Sequence, residues 1–426
     1  MKYKLQNIMK TISIRAIALS LFILLFACKE EGRIDHIDSS APAPDNVTVL
    51  DVTPRPGGSV IKYKLPDDVS NLLGVEVVYT RNGETCRSKA SKYSDTLVVE
   101  GFGNTDPQEV MLYSVGLNGK LSSGVPRLIT PLAPPVQTVQ FDIVAGFGGV
   151  VTSIEGNTSK ADLSLVLLIA DTLYTDFYSE IQTFHTKSAA FKFSRRGLEA
   201  RESNFAMFLR DRWGNRSDTI YRTLTPIEEV ELPKTEIVRG NLAGDFYSYA
   251  EGNNGYRVEL MFDGNKNGTF WASAHTGPIP QVVSFDLGHK VSISRFEKYP
   301  RSNYELYSGT APRVFELWGS IDPGPDKANG DWDDSWQLLG RFEQSKPSGY
   351  GEGSNVGTIT DEDKDYWYNH TEFELVPTDE APDPYQTVNW IRLKILSTFS
   401  TYGTDTNMSQ VIIAELTFWG QLKDDE

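Results

Sequence analysis

The feature that most constrains the fold is a series of short runs in which apolar and polar residues alternate, each bounded by turn-forming residues. Clear examples lie at residues 59–63, 74–79 and 96–100. A period of two in β-branched and aromatic residues is typical of strands with one buried face. After residue 28 no stretch carries the sustained apolar stripe of an amphipathic helix. The sequence therefore predicts an all-β chain built of sandwich domains.

The N-terminal segment has the pattern of an export signal. Basic residues precede an apolar run at 16–27, which is shorter than an ordinary membrane-spanning helix, and Cys28 follows directly. Residues 25–28 resemble the bacterial lipobox, and residues 29–31 resemble the signal of outer-face lipoproteins in Bacteroidetes. We predict a signal peptide at 1–27, a lipidated stalk at 28–43, and an anchor on Cys28 that holds the protein in the outer membrane, exposed at the cell surface. A plain secreted protein is the alternative.

Charge and motif content exclude several functions. The chain carries a formal net charge of −16, and removal of the four basic residues in 1–27 would make it −20. Such a surface repels phosphate backbones, so we expect no nucleic-acid partner. No GxSxG, P-loop or HExxH motif is present. The acidic runs at 331–334 and 361–363 could hide a glycosidase carboxylate pair, but we expect solvated acidic loops there.

A repeat divides the N-terminal half. Residues 119–131 recur in part at 214–226, an offset of 95 residues, which is the length of one fibronectin-like or immunoglobulin-like sandwich. We therefore predict two such domains at 44–132 and 133–233, with prolines at the boundaries. A third domain would occupy 234–426, where seven of the eight tryptophans lie.

Eight motifs of this third segment fall in the order of a discoidin domain, the coagulation factor 5/8 type C fold that includes the family 32 carbohydrate-binding modules. They lie at residues 261–265, 269–271, 285–288, 299–301, 315–320, 336–340, 390–393 and 415–420. The resemblance implies a discoidin-like, galactose-binding-like jelly-roll sandwich. The whole layout resembles surface lipoproteins of Bacteroidetes composed of the unknown-function domain families 4959, 5126 and 5000.

The loop at 263–268 has oxygen-bearing side chains at alternate positions, as a hard cation requires. An ordinary Asx-rich turn is the alternative. By resemblance to discoidin-like glycan modules, Asp263, Asn265 and Thr269 would supply loop ligands and Glu415 of the last strand would supply the missing carboxylate. The cation would be a structural calcium ion.

Sugar binding requires flat aromatic faces together with planar hydrogen-bonding groups. Trp271, Trp336, Trp390 and Trp419 occupy strand and core positions of the family, so we expect them to pack internally. The better candidates for ligand contacts lie in polar segments or in family loop positions. They are Trp332, Trp367, Phe399, Tyr402, Arg301 and His275. For Trp332 and Trp367 the alternative is that each ring anchors its own loop.

These observations together predict a non-catalytic, glycan-binding lipoprotein of the cell surface, acting in a polysaccharide-utilisation system. By the same resemblance, its partners would be a TonB-dependent glycan importer and the binding protein of that importer. One alternative is a surface adhesin or assembly component that binds protein. Another is an accessory enzyme of glycoside hydrolysis.

Overall fold

The computed structural model describes residues 37–173, 176–246, 255–274, 277–301, 306–324, 326–327, 331–369 and 372–423. The predicted signal peptide, the lipidation site Cys28 and the candidate ligand residue His275 lie outside the described residues. Within them, no helix is long and apolar enough to cross a membrane.

The first domain is a seven-stranded sandwich. Its strands are β1 (Thr48–Arg55), β2 (Gly58–Lys64), β3 (Leu72–Arg81), β4 (Glu84–Ser91), β5 (Thr96–Glu100), β6 (Gln108–Gly116) and β7 (Val125–Ile129). The sheets have the orders β1-β2-β5 and β4-β3-β6-β7. Alternate residues of each strand, such as Val75 and Val77 of β3 and Val110 and Leu112 of β6, fill the core because successive side chains of a strand point to opposite faces.

The second domain repeats this arrangement strand for strand. After the short helix α1 (Pro135–Thr138) come β8 (Gln140–Gly146), β9 (Gly149–Glu155), β10 (Leu163–Ala170), β11 (Tyr178–Thr186), β12 (Ala190–Arg196), β13 (Ser203–Asp211) and β14 (Ile220–Leu224). The sheet orders β12-β9-β8 and β11-β10-β13-β14 match those of the first domain. The last strands, β7 and β14, begin 95 residues apart, which agrees with the offset of the sequence repeat.

The C-terminal domain is built on one large sheet and two short strand pairs. Its strands are β15 (Val230–Glu231), β16 (Val238–Arg239), β17 (Trp271–Ala272), β18 (Gly277–Pro278), β19 (Gln281–Tyr299), β20 (Pro312–Ser320), β21 (Gln337–Glu343), β22 (Glu372–Glu374), β23 (Thr387–Thr398), β24 (Met408–Ser409), β25 (Ile412–Ile413) and β26 (Glu415–Leu422). The large sheet follows the order β15-β26-β19-β23-β20-β21. The predicted all-β fold, two sandwiches followed by a discoidin-like sandwich, is confirmed.

One helix of this domain was not predicted. Helix α2 (Asp361–Asn369) begins where Thr360 and Asp363 form a capping box: Thr360 Oγ1 accepts from Asp363 N at 3.1 Å, and Asp363 Oδ2 accepts from Thr360 N at 2.8 Å. Three-residue or five-residue 3₁₀ turns lie at Lys234–Glu236, Val258–Phe262 and Gly353–Asn355.

Among the described residues, two compact units can be distinguished. One runs up to Val139 and includes Arg210–Ser217, and the other comprises Gln140–Leu209 together with the chain from Asp218 onward. Inside the second unit, Glu229 lies between Arg196 and Arg295, with N–O distances of 3.8 and 3.3 Å. Both arginines also bind Glu372 of β22. Because the Glu229 side chain is only 6% exposed, these charges are poorly screened and hold β12 against the C-terminal sheet.

The amine of Lys298 is fully buried in the core of the C-terminal domain. Lys298 of β19 is 0% exposed, and its Nζ donates a hydrogen bond of 2.7 Å to Gln344 Oε1. The ammonium also lies 5.4 Å from the Phe315 ring centre and 5.9 Å from that of Phe373. Burial lowers the pKa of Lys298 to about 7.

Candidate functional site of the C-terminal domain

The loop between Asp263 and Thr269 folds around its own side chains. Asp263 Oδ1 accepts from the backbone N–H of Asn265 at 2.8 Å, and Asp263 Oδ2 accepts from Thr269 Oγ1 at 2.5 Å. Asn265 Oδ1 accepts from the N–H of Gly268 at 2.8 Å. Gly264 has a positive φ of 81°, a backbone conformation that glycine adopts readily. Its N–H donates to Glu415 of the last strand.

Glu415 brings that strand to the loop. Its Oε1 accepts from Gly264 N at 3.2 Å and from Lys234 Nζ at 2.5 Å, whereas its Oε2 is buried without a hydrogen-bond partner. Burial raises the pKa of Glu415, and the charge of Asp263 adds to this effect, while Lys234 opposes it. A cation beside Oε2 would offset both the burial of the Glu415 carboxylate and its repulsion by Asp263. The donor set therefore fits a hard cation.

The four predicted metal ligands therefore lie in one neighbourhood. Across the described part of the chain, no three side chains of the types His, Cys, Asp or Glu converge on a point where they could hold a metal ion. A calcium ion at Asp263 and Glu415 would thus depend on the neutral oxygens of Asn265 and Thr269. Calcium remains a prediction.

Beside this loop lies a surface depression of about 430 Å³, which we call the tyrosine depression. Its floor and walls come from the loop, from the end of β19 and from the last turn of α2. It is lined by Lys266, Asn267, Tyr299, Pro300, Trp367, Tyr368 and Asn369. Phenol rings, amide groups and an ammonium group thus share one concave surface, and this combination can hold a polar ring-shaped ligand.

Lys266 is held over one of these rings. Its Nζ lies 4.0 Å from the ring centre of Tyr299 and 2.6 Å from the Tyr299 hydroxyl. Glu297 Oε2 lies 3.5 Å from the same nitrogen and accepts from the Tyr299 hydroxyl at 2.5 Å. Burial by itself lowers the pKa of Lys266, but the hydrogen bond to Tyr299 and the charge of Glu297 outweigh it and raise that pKa. Lys266 is therefore a charged, pre-oriented donor.

The prediction that Trp367 and Phe399 present open faces to a ligand is wrong. Trp367 is 1% exposed and Phe399 is 0% exposed, and both pack around Tyr307 at ring-centre distances of 4.7 and 5.6 Å. For Trp367 the reason is helical spacing: Asp363 and Trp367 are four residues apart in α2 and share its buried face. Trp367 backs the tyrosine depression, whereas Tyr368, one residue later, is half-buried.

The remaining candidates are distributed over several places. Tyr402 is 42% exposed, with the Arg313 guanidinium 4.2 Å from its ring centre. Arg301 follows the tyrosine-depression residues Tyr299 and Pro300, and its guanidinium lies 4.7 Å from the ring centre of Phe270.

Trp332 belongs to a different cluster on the large sheet. Its ring centre lies 5.3 Å from that of Trp318, and the Arg392 guanidinium lies 4.5 Å from both Trp332 and Trp336. Trp336 at 6% exposure and Trp271 at 0% are buried, as expected for packing residues.

Sequence reasoning missed Lys266, Asn267, Tyr299, Tyr368 and Asn369 as ligand contacts. The signal was nevertheless close, because Tyr299 and Tyr368 stand in the segments that supplied Arg301 and Trp367 as candidates. The sequence pattern did not predict which residue of each segment lines the depression.

Three family models match successive parts of the chain. Residues 44–131 match the family DUF4959, residues 132–235 match DUF5126 and residues 262–420 match DUF5000, each described as a domain of unknown function. No curated protein sequence matches the chain.

Several solved structures are similar to parts of it. A SusE-like protein shares 26% identity with a TM-score of 0.40, covering 68% of this chain and 100% of that chain. The C-terminal domain of a chitobiase from Bacteroides fragilis shares 18% identity with a TM-score of 0.30, covering 46% and 100%. A family 32 carbohydrate-binding module of NanJ from Clostridium perfringens, solved with galactose, shares 16% identity with a TM-score of 0.26, covering 45% and 98%. The three families anticipated from the sequence are confirmed, and the chain is composed of a DUF4959, a DUF5126 and a DUF5000 domain in that order.

Proposed function

We propose that this protein is a non-catalytic, glycan-binding lipoprotein of the cell surface and that its C-terminal domain binds a saccharide in the tyrosine depression. The observation that carries the proposal is the lining of that depression, where the phenol rings of Tyr299 and Tyr368 flank Lys266 and two asparagines. A pyranose has an apolar face that packs on an aromatic ring and hydroxyls that need polar partners. The depression offers both kinds of group in a volume of about 430 Å³, within the range of small-ligand sites.

The charged donor gives the site its polarity. Lys266 is fixed by Tyr299 and Glu297, so little side-chain entropy is lost when its ammonium donates to a sugar hydroxyl. The amide groups of Asn267 and Asn369 supply both donors and acceptors. The aromatic contact would contribute about 1 to 3 kcal/mol, or roughly a tenfold to hundredfold gain in affinity.

Calcium would act as a support for this surface. The ion would be held by Asp263, Asn265, Thr269 and Glu415, and the loop that carries those ligands also carries Lys266 and Asn267 of the depression. When bound, the ion supplies positive charge for the buried Glu415 carboxylate and ties the last strand to the loop.

The environments of the acidic runs support a non-catalytic role. A glycosidase general acid requires a raised pKa. Burial works against ionisation of Asp363, yet hydrogen bonds from Thr360 and Ser348 lower its pKa to about 2. In the other run, hydrogen bonds from Ser335 and Gly324 lower the pKa of Asp333. Neither carboxyl group has the properties of a general acid.

Location and partners complete the proposal. The lipobox-like residues 25–28 support an anchor at the outer membrane, and residues 29–31 support display at the cell surface. The net charge of −16 disfavours nucleic acid. A captured polysaccharide would be held near a TonB-dependent importer and its binding protein, so the role is to raise local concentration.

Affinity electrophoresis of the full chain tests the proposal. Gels containing mucin, arabinogalactan, xylan or heparan sulfate would be compared with gels lacking polysaccharide. Retardation by at least one polymer is expected, and Tyr368→Ala and Lys266→Ala should each reduce it. Tyr350→Ala is the matched control, because Tyr350 is 62% exposed and does not line the depression. Equal loss in the control variant, or retardation by no polymer, contradicts the proposal.

A further inference from the structure

The first domain carries an aromatic side chain that packing does not explain. Tyr93 is 89% exposed at the turn between β4 and β5. Two hydrogen bonds fix the turn: Ser94 N donates to Ser91 O at 3.0 Å, and Ser94 Oγ donates to Thr96 O at 3.0 Å. A phenol ring is therefore presented to solvent from a backbone that is held by its own hydrogen bonds.

A second apolar group is turned outward beside it. The pairing of β1 with β2 shifts register between Val49 and Asp51, which leaves Leu50 opposite no partner residue. Such a bulge re-aims a side chain, and Leu50 is 58% exposed although its neighbours in the strand pair regularly.

These two side chains border a shallow depression of about 510 Å³. It is lined by Leu50, Tyr63, Lys64, Leu65, Pro66, Asp67, Lys92, Tyr93, Ser94 and Asp95. Tyr63 is 1% exposed, and its buried hydroxyl interacts with Ser94.

Charged side chains that can exchange partners line the same depression. Lys64 Nζ binds Asp67 Oδ1 at 3.0 Å, and these side chains are 65% and 94% exposed. An exposed ion pair of this kind contributes at most about 1 kcal/mol, so either partner can turn to a ligand at low cost. Lys92 lies 5.8 Å from the centre of the Tyr93 ring.

We infer that this depression is a second saccharide-binding site and that the first domain is more than a spacer. The combination of an exposed ring, an apolar neighbour and side chains of both charges matches the needs of a sugar ring. A stable protein interface requires about 800 Å² from each partner, with charged residues depleted at its centre. Here four charged side chains line a small concave surface, which favours a saccharide over a protein partner. The inference rests on the proposed glycan-binding function but uses other residues.

The test compares two sites in the full chain by affinity electrophoresis with the same four polysaccharides. Tyr93→Ala removes the exposed ring of the first domain, Tyr368→Ala alters the tyrosine depression, and a third protein carries both changes. Tyr221→Ala is the control, because Tyr221 is 60% exposed and lines neither depression. Thermal melting of each variant shows whether it folds.

With a polymer that retards the unmodified chain, Tyr93→Ala should weaken apparent affinity at least fivefold, and the double variant should be weaker than either single one. If Tyr93→Ala behaves like Tyr221→Ala while Tyr368→Ala loses affinity, the second site is refuted and the proposed function stands. If Tyr368→Ala is unaffected and Tyr93→Ala loses affinity, the assignment to the C-terminal domain fails and the first-domain site stands. Retardation of no protein by any polymer overturns both.

Discussion

Replacement of Lys298 by methionine should change how the stability of the C-terminal domain depends on pH. Lys298 is fully buried, and its pKa falls from an ordinary 10.5 to about 7. Between these values the unfolded chain holds the proton and the folded chain does not. The free energy of unfolding should therefore rise as the pH increases from about 7 to 10.5. Below pH 7 Lys298 is protonated in both states, so the full cost of burying a charged ammonium remains.

The size of the effect follows from the same pKa values. One pKa unit corresponds to about 1.4 kcal/mol. Burial of the protonated Lys298 amine therefore costs of the order of 5 kcal/mol in free energy of unfolding. About 3 kcal/mol of this cost should disappear between pH 6 and pH 9. Lys298→Met removes the titrating group, and the unpaired Gln344 that results has an effect independent of pH.

The assay is urea unfolding of the full chain at pH 6 and pH 9, followed by tryptophan fluorescence. Seven of the eight tryptophans lie in the C-terminal domain, so the signal reports on this core. Lys187→Met, at a lysine whose side chain is 68% exposed, controls for the loss of one positive charge. Identical pH dependence in the unmodified chain and in Lys298→Met would refute the reasoning.

Three further predictions concern packing, charge and metal. Trp367→Ala should destabilise the C-terminal domain by about 3 to 5 kcal/mol in urea unfolding, because its 1% exposed ring fills the cluster around Tyr307. A decrease in the free energy of unfolding below about 1 kcal/mol would contradict the burial of this ring. Glu229→Ala should cost about 1 to 3 kcal/mol, because it removes the more buried of the two carboxylates that Arg196 and Arg295 share, and an unchanged unfolding midpoint would show that this carboxylate contributes nothing to stability. Calcium should raise the melting temperature of the unmodified chain by a few degrees, and chelator should reverse this rise, whereas Asp263→Asn should respond to neither. If calcium does not change the melting temperature of the unmodified chain, the loop is an ordinary turn.

Much of the fold could be predicted because it depends on local periodicity and repetition. Alternating runs indicated the strands, and the offset of 95 residues reappears in the starts of β7 and β14. Helix α2 could not be read in this way, since its nine residues have only Asp363 and Trp367 as buried positions. Its capping box, Thr360 with Asp363, was present but lay inside an acidic run that favoured a solvated loop.

The candidate site shows the same limit at the level of single residues. The metal loop and Glu415 come together because the last strand pairs with β19, and the family resemblance carries that long-range information. Which aromatic residue faces outward depends instead on the phase of one short helix. Trp367 and Tyr368 differ by one position, about 100° around the helix, and this rotation buries the first and leaves the second half-exposed.

Calorimetric titration with the polysaccharide that retards the full chain most strongly tests the central claim most directly. Tyr368→Ala should weaken the affinity at least tenfold relative to the unmodified chain while remaining folded by thermal melting, whereas Tyr350→Ala should bind as the unmodified chain does. If Tyr368→Ala folds normally and retains full affinity, the tyrosine depression does not bind the glycan and the account is contradicted.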